Sequence, residues 1–108
     1  MNYKIISTKT FERKLKTLFK KYRSIKEDLR VLQQELLENP KMGIHIGKDV
    51  YKIRLAIKTK GKGKSGGARV ITHIKVIEET VYLLSIYDKS NTSSVSDNDI
   101  TELLKGID

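Results

Sequence analysis

The sequence contains no cysteine, a single proline and only two histidines. Without thiols, neither a disulfide framework nor a thiolate metal site can form. The histidines, His45 and His73, lie far apart in the chain and lack the paired spacing of metal ligands. We therefore expect no metal site and no cofactor, and the sequence gives no support to a hydrolytic triad.

Long apolar runs are also absent. No segment resembles a signal peptide, and none has the uninterrupted apolar length that crosses a bilayer. We therefore expect a cytoplasmic protein without membrane contacts. The length of 108 residues predicts one domain, residues 1–108, with one modest core.

Acidic residues are missing from the centre of the chain. Residues 50–77 carry eight Lys or Arg and no Asp or Glu, within a chain of net charge +9. Residues 78–108 carry seven acidic and two basic residues. A segment with charge of one sign is either a solvated basic face or a footprint for a polyanion, and this segregation favours the polyanion.

The first forty residues predict a strand and a helical hairpin. Residues 3–7 form a short strand, and a helix over residues 10–22 carries an apolar stripe at helical spacing. Ser24 and Glu27 match a Ser-x-x-Glu capping box that begins a second helix. Asn39-Pro40 ends that helix, because the residue before proline avoids helical geometry.

The remaining chain predicts strands and one short helix. Residues 50–58 alternate between an apolar face and a largely basic face, which is the period of a strand. Residues 68–77 and 81–87 predict two more strands with a tight connection at 78–80, and residues 96–99 can cap a last helix. In the strand predicted over residues 50–58, the apolar face carries Tyr51, Ile53, Leu55 and Ile57. The opposite face of the same strand carries Lys52, Arg54, Ala56 and Lys58.

Residues 60–69 read Lys-Gly-Lys-Gly-Lys-Ser-Gly-Gly-Ala-Arg. The glycines match G-x-G-x-x-G, but a dinucleotide site needs a helix after them and the pattern here continues as a strand. The segment therefore predicts a hairpin loop whose glycines adopt backbone angles closed to other residues. Its lysines Lys60, Lys62 and Lys64, with Lys58 before them, can follow a phosphate backbone as RNA-binding residues.

Two further positions leave alternatives open. His73 is either a polar residue on a strand face or an acid–base catalyst. Tyr87 either packs at a sheet edge before a turn at Asp88 and Lys89, or contacts a nucleotide together with Lys89.

The order of elements and two sequence runs together resemble the RelE/ParE toxin superfamily. Residues 51–55 read Tyr-Lys-Ile-Arg-Leu, and residues 63–71 read Gly-Lys-Ser-Gly-Gly-Ala-Arg-Val-Ile. The Gly-Lys-Ser-Gly-Gly-x-Arg run is most similar to the HigB-like, phage Gp49-like branch. The resemblance covers nearly the whole chain. It implies an α+β fold in which an N-terminal strand and an αα-hairpin pack on one face of a twisted antiparallel sheet, with a short C-terminal helix.

The resemblance also implies an activity and partners. RelE-like members are ribosome-dependent endoribonucleases that cut mRNA by attack of a 2′-hydroxyl on the adjacent phosphate, without a metal. Each is neutralised by a cognate antitoxin encoded by a neighbouring gene. The implied function is therefore the toxin of a type II toxin–antitoxin system. ParE-like members share the fold but inhibit DNA gyrase, and a plain RNA-binding module is a third alternative.

The resemblance carries over to individual residues. Lys52 and Arg54 match the basic pair on the first long strand, Arg69 matches the arginine that opens the next strand, and Lys89 falls near the basic residue at the end of the last strand. Many relatives place a His or Tyr near the C-terminus, whereas residues 90–95 contain neither and Tyr87 lies earlier.

The chemistry of RNA cleavage suggests a role for each basic residue. The planar fork of Arg69 suits a phosphate clamp, because guanidinium binds phosphate oxygens in pairs. Lys52 is the candidate base, since neighbouring positive charges favour the uncharged amine. Arg54 supports both through its charge, in a site that acts by electrostatics and positioning.

Overall fold

The computed structural model describes residues 2–91 and 94–107. Within these ranges, five strands and four helices form in the order β1 (Lys4–Ser7), α1 (Lys9–Lys21), α2 (Ile25–Glu38), β2 (Ile44–His45), β3 (Val50–Leu55), α3 (Gly63–Gly66), β4 (Ala68–Lys75), β5 (Thr80–Asp88) and α4 (Asp97–Lys105). The α+β class is confirmed. No helix in the described ranges is both long and apolar enough to cross a bilayer.

The strands form one sheet in the order β1-β5-β4-β3-β2. The pairs β2–β3, β3–β4 and β4–β5 are antiparallel, as expected. The first strand is different, because β1 pairs parallel with β5. The expected antiparallel sheet is thus present in β2 to β5, and the N-terminal strand, which was expected to pack on its face, instead joins its edge. The two-residue strand β2 was not predicted, because two residues are too few to show an alternating pattern.

Hydroxyl side chains fix the helix starts. Thr8 caps α1 by accepting the backbone N–H of Phe11 at 3.2 Å, and its hydroxyl donates to the Leu83 carbonyl of β5 at 3.0 Å. The predicted cap of α4 is confirmed, because Ser96 and Asp99 form a reciprocal capping box. The predicted box at Ser24 is wrong.

Ser24 serves a long-range contact instead of a cap. Its hydroxyl donates to the buried carboxylate of Asp28 at 2.7 Å and accepts the backbone N–H of Thr59 at 3.0 Å. Glu27, the other half of the predicted box, pairs with Arg30. The start of α2 is therefore tied to the loop after β3.

The sheet is covered on both sides. On the first face, the helical hairpin closes a core that includes Phe11, Leu15, Ile25, Leu29, Leu36, Ile53, Leu55, Val70, Leu83 and Ile86. On the second face, α4 packs through Ile100 on a smaller cluster of Val50, Ile71 and Leu84. The second face, which was expected to be exposed to solvent, is therefore exposed only where α4 does not cover it.

Strand β5 contains one extra residue. Ile71 of β4 pairs with Ser85 and the next residue, Thr72, pairs with Leu83, so Leu84 has no partner and forms a bulge. Leu84 and Ser85 consequently both lie on the second face. Beyond the bulge, Tyr87 lies on the second face with Arg69, and Asp88 lies on the first face.

Strand β3 ends earlier than predicted. The expected strand over residues 50–58 stops at Leu55, although Ile57 is still buried. Gly67 explains this departure, because a Cβ atom at this position would lie 2.1 Å from the Leu55 carbonyl oxygen. Only glycine allows the loop backbone to approach the end of β3 so closely. Lys58 consequently lies beyond the strand.

The carboxylate of Asp88 joins three segments beneath the first face. It is fully buried and accepts hydrogen bonds from the Tyr22 hydroxyl at 2.6 Å, the Lys60 ammonium at 2.6 Å and the Ser90 backbone N–H at 2.9 Å. Burial by itself raises the pKa of Asp88, but the hydrogen bonds from Lys60 and Tyr22 outweigh it and the pKa is strongly lowered. The carboxylate therefore stays ionised and holds the end of α1, the loop after β3 and the end of β5 together.

We expect Asp88→Asn to destabilise the fold by about 3 kcal/mol at neutral pH, because it leaves the buried Lys60 ammonium uncompensated. The unfolded chain binds a proton at Asp88 below about pH 3.9, whereas the folded chain binds one only at lower pH. The stabilisation is thus present above that pH and is lost as the pH falls through the lowered pKa. Urea unfolding of both proteins should show a difference that shrinks under acid conditions.

Glu102→Gln provides the control, because it removes an exposed ion pair with Lys105. Its cost should be less than about 0.5 kcal/mol. A penalty for Asp88→Asn that stayed constant into strong acid would show that the ionised carboxylate is not its source.

Candidate functional site

Three of the predicted site residues form a row across the second face. Arg54 of β3 pairs with Arg69 of β4, and Arg69 pairs with Tyr87 of β5. Because directly paired residues point to the same side of a sheet, all three side chains leave from this face. Lys52 lies two residues from Arg54 on the same side of β3, opposite Ile71. The predicted alternation of β3 is confirmed for Lys52 and Arg54.

The pairing of Arg54 with Arg69 places two like charges directly opposite each other. Such a pair destabilises a sheet. Within the described residues, no acidic side chain lies within ion-pair distance of Arg54, Arg69, Lys52 or Lys89. An anion placed between these cations would relieve the repulsion.

The guanidinium of Arg69 is oriented by backbone carbonyls. Its Nη1 atom donates to the carbonyls of Lys64 and Ala68, each at 3.1 Å, and its Nη2 atom donates to that of Ser65 at 3.2 Å. The loop over residues 60–69, which includes the short helix α3, thus supplies the carbonyl oxygens that accept hydrogen bonds from the buried Arg69 side chain. These carbonyls fix the orientation of the guanidinium and leave its positive charge without a counter-charge, although they use both N–H groups of Nη1 and one of Nη2.

The cations enclose a shallow cleft of about 190 Å³ lined by Ile44, Lys52, Arg54, Arg69 and Lys89. Lys89 follows directly on β5, and its backbone N–H donates to the Gly67 carbonyl at 3.0 Å. The end of β5 and the loop before β4 therefore hold each other in place beside the cleft. Ile44, which is not among the predicted site residues, is the one apolar residue that lines this cleft, and its side chain is largely exposed.

Tyr87 lies in the row, but its hydroxyl does not face the cleft. The phenol oxygen is buried and has no hydrogen-bond partner among the described residues, and the side chain packs against the cluster that includes Leu84 and Ile100. Burial raises the pKa of Tyr87, and the nearby charge of Arg69 offsets this only in part. The hydroxyl is therefore shielded from a ligand in the cleft, which favours the packing alternative for this residue.

The loop lysines separate into two groups. Lys58, Lys62 and Lys64 are exposed, as expected for phosphate contacts. Lys58 and Lys64 also line a groove that contains Asp28 and Glu35 of α2. Lys60 points inward to Asp88, with only 8% of its side chain exposed. The interpretation of Lys60 as an RNA-binding residue is withdrawn, because a buried carboxylate neutralises its charge.

The histidines lie outside the cleft. His73 pairs with Val50 on one side and Tyr82 on the other, at the far end of the same face. Burial lowers the pKa of His73, and the nearby backbone of Lys48 and Asp49 opposes this only in part. His45 lies on β2 in a tilted ring contact with Tyr51, with 5.1 Å between ring centroids. The acid–base alternative for His73 therefore has no geometric support.

The family model described as the RelE toxin of the RelE/RelB toxin–antitoxin system matches residues 3–106. The chain belongs to the RelE toxin family. Two solved structures are similar in fold. A double mutant of the E. coli toxin RelE in the free state has a TM-score of 0.63 and 21% identity, covering 97% of both chains. The isolated E. coli RelE toxin in a P21 crystal form has a TM-score of 0.56 and 23% identity, covering 99% of both.

In this RelE-family chain, the opposed pair of Arg54 and Arg69 should lower the free energy of unfolding and favour the binding of an anion. We expect Arg54→Gln to raise the free energy of unfolding by about 0.5 kcal/mol, since it removes like-charge repulsion across the strand pair. The same substitution should reduce the increase in Tm that added phosphate or sulfate produces. Thermal unfolding over a phosphate series measures both effects, and Lys41→Gln is the control because Lys41 is exposed and lies outside the cleft. Equal effects of the two substitutions would contradict an anion site.

We expect Tyr87→Phe to stabilise the protein by about 1 kcal/mol, because a buried hydroxyl with no partner in residues 2–91 and 94–107 carries a desolvation cost that phenylalanine avoids. Toxicity on induction should be retained. Urea unfolding and a growth assay check the two parts. A stable but harmless Tyr87→Phe protein would instead show that the phenol becomes accessible and takes part in the reaction.

Proposed function

We propose that this toxin cleaves mRNA on the ribosome by attack of a 2′-hydroxyl on the adjacent phosphate, with the cationic cleft as its active site. Membership of the RelE family makes the chain a toxin of a toxin–antitoxin system. The observation that carries the proposed chemistry is the opposition of Arg54 and Arg69 in a cleft lined by four basic side chains and no acid. Such a cleft suits a phosphate that gains negative charge in the transition state.

Each cation takes a role that its placement supports. Arg69, oriented by carbonyls, clamps the non-bridging phosphate oxygens, and Arg54 adds charge from the opposite side. Lys52 accepts the proton of the attacking 2′-hydroxyl, for which its side chain must enter the reaction as the uncharged amine and leave it as the ammonium. Lys89, at the end of β5, donates a proton to the leaving 5′-oxygen. The oxygen–phosphorus bond to the 2′-oxygen forms as the bond to the 5′-oxygen breaks.

The partners follow from the same proposal. The substrate is mRNA engaged in translation, and the cognate antitoxin is a RelB-like protein. An antitoxin segment with acidic side chains over the cleft would mask the opposed arginines, and charge complementarity would accelerate its association. Lys62 and Lys64 extend the basic surface along the RNA backbone without joining the reaction.

The products test the mechanism. Cleavage should leave a 2′,3′-cyclic phosphate on one fragment and a 5′-hydroxyl on the other, on translated messages and in the presence of EDTA. Arg69→Ala should lower the rate by about a hundredfold or more, by analogy with loss of one preorganised donor. Lys62→Ala should mainly weaken RNA binding, by roughly one unit of the salt slope. End-mapping of RNA and single-turnover kinetics measure these effects.

Arg69→Lys separates loss of chemistry from loss of fold, because it keeps the charge but not the planar fork. It should remain folded by circular dichroism and still be slow. Equal, small effects of Arg69→Ala and Lys62→Ala would make Arg69 an ordinary phosphate contact. Intact mRNA with broken DNA in induced cells would replace the proposal with gyrase inhibition, and RNA binding without cleavage would indicate a plain RNA-binding module.

A further inference from the structure

Ile44 differs from the other residues that line the cleft, because its side chain is apolar. It lies on β2 and pairs directly with Lys52 of β3, so both side chains leave from the second face. Directly paired residues hold their Cβ atoms about 5 Å apart. Ile44 is nevertheless 57% exposed. An apolar side chain thus lies open to solvent beside the residue that is proposed to activate the 2′-hydroxyl.

The turn that joins β2 to β3 is strained. Gly47, Lys48 and Asp49 lie in this turn, and their φ angles are 104°, 53° and 57°. Positive φ angles are unfavourable for residues that carry a side chain. Strain of this kind persists only where the surrounding structure enforces it, and it is concentrated at functional sites. The strained turn therefore indicates that the position of β2 matters beyond the stability of the sheet.

Gly43 fixes the approach of β2 to β3 from the other end. Its φ angle is +100°, and a Cβ atom at this position would lie 2.6 Å from the Lys52 carbonyl oxygen. Only a residue without a side chain allows the two backbones to come so close. A strand of just two residues is thus held at both ends, and Ile44 is the residue that it presents on the second face.

The cations of the cleft bind phosphate but cannot by themselves orient a nucleotide. The lining residues other than Ile44 are all basic, and within residues 2–91 and 94–107 no aromatic side chain lines the cleft. A phosphate held by cations alone leaves its ribose and base free to rotate, whereas in-line attack needs a fixed geometry. Apolar side chains, like aromatic ones, pack against the face of a nucleobase. Ile44 is the lining residue that can supply this contact.

The order of the strands gives the bound RNA a direction. From one edge the order is β2, β3, β4 and β5, so Ile44 lies beyond Lys52 on the side away from Lys89. In the proposed mechanism, Lys52 accepts the proton of the 2′-hydroxyl and Lys89 donates a proton to the leaving oxygen. The nucleotide that carries the attacking hydroxyl therefore lies toward β2, where its base comes within reach of Ile44.

We propose that Ile44 packs against the face of the base on the 5′ side of the cleaved bond and thereby orients the attacking nucleotide. This inference rests on the proposed function and deepens it. The face of the base is the large apolar surface of a nucleotide and is common to all four bases, so the contact tolerates different sequences. The cations bind the phosphate, and Ile44 binds the base beside it.

A double-mutant cycle between Ile44→Ala and a missing base tests the proposal. Ribosomes are programmed with a synthetic message, and end-mapping with the wild-type toxin identifies the cleaved bond. On this message, Ile44→Ala should raise the toxin concentration for half-maximal single-turnover cleavage by about fivefold, at the lower end of the effect of removing one base-stacking side chain. On a message that lacks the base on the 5′ side of the bond, wild-type toxin should lose the same factor and Ile44→Ala nothing more. A missing base on the 3′ side should leave the full effect of Ile44→Ala in place.

Ile77→Ala is the matched control. Ile77 is fully exposed in the turn between β4 and β5 and lines a different groove. The substitution removes the same atoms, and it should leave the half-maximal concentration unchanged. Ile44→Leu keeps the apolar volume and should restore most of the loss. Circular dichroism confirms that each variant is folded.

The other outcomes overturn the proposal. An equal loss with and without the base would place Ile44 against the ribose or against the protein itself. Coupling to the base on the 3′ side would reverse the direction of the RNA. Equal losses for Ile44→Ala and Ile77→Ala would show that the effect is not local. Unchanged cleavage with weakened antitoxin binding would assign Ile44 to a peptide contact.

A message with 2′-deoxynucleotides in the codon separates this proposal from the ribonuclease mechanism, because it binds but cannot be cleaved. The missing base is moved through each position of that codon, and toxin affinity is measured for wild type and Ile44→Ala. Coupling of Ile44 to one base, without cyclic phosphate ends on ordinary messages, would reject the mechanism and leave the base contact in place. Correct product ends without such coupling would do the reverse.

Discussion

The buried carboxylate of Asp88 is the interaction on which the arrangement of this toxin depends. It joins Tyr22 at the end of α1, Lys60 in the loop after β3 and Ser90 after β5. A buried charge is tolerated only when its partners are all present, so these segments take up their positions together. The cleft lies across the sheet from this centre. The residue after Asp88 is Lys89, whose backbone binds Gly67 in the loop that also supplies the acceptors for Arg69.

The two sides of the sheet thus treat charge in opposite ways. On the first face, a cation and an anion neutralise each other in a dry environment. On the second, Arg54 and Arg69 stand opposite each other without a neutralising group. A chain selected for stability alone would avoid this second arrangement, and local departures from stabilising rules are concentrated at functional sites. The conflict of like charges is therefore the structural feature that most supports the cleft as the proposed active site.

Much of this architecture could be predicted from local patterns. The period of two placed Lys52 and Arg54 opposite Ile53 and Leu55, and helical spacing gave the hairpin. The errors concern partners distant in sequence. Nothing near Lys60 reveals Asp88, which lies 28 residues away, and nothing near Ser24 reveals Thr59, 35 residues away. The parallel pairing of β1 is likewise a property of the whole sheet, and the buried phenol of Tyr87 depends on α4.

The bulge at Leu84 gives the sheet one place where chain length can vary. Leu84 and Ser85 share a face, so loss of Leu84 would leave a regular strand with Ser85, Ile86 and every later side chain on its present side. If all nine residues of β5 formed a regular strand without the bulge, every side chain after Leu84 would change sides. Tyr87 would then face the helical hairpin, and the Asp88 carboxylate would lie on the side of the cationic cleft. A regular β5 that is one residue shorter would therefore keep Tyr87 and Asp88 on their present sides of the sheet. A sequence alignment with such a shorter strand therefore needs a gap at Leu84. Without that gap, the Asp88 carboxylate would be assigned to the wrong side of the sheet.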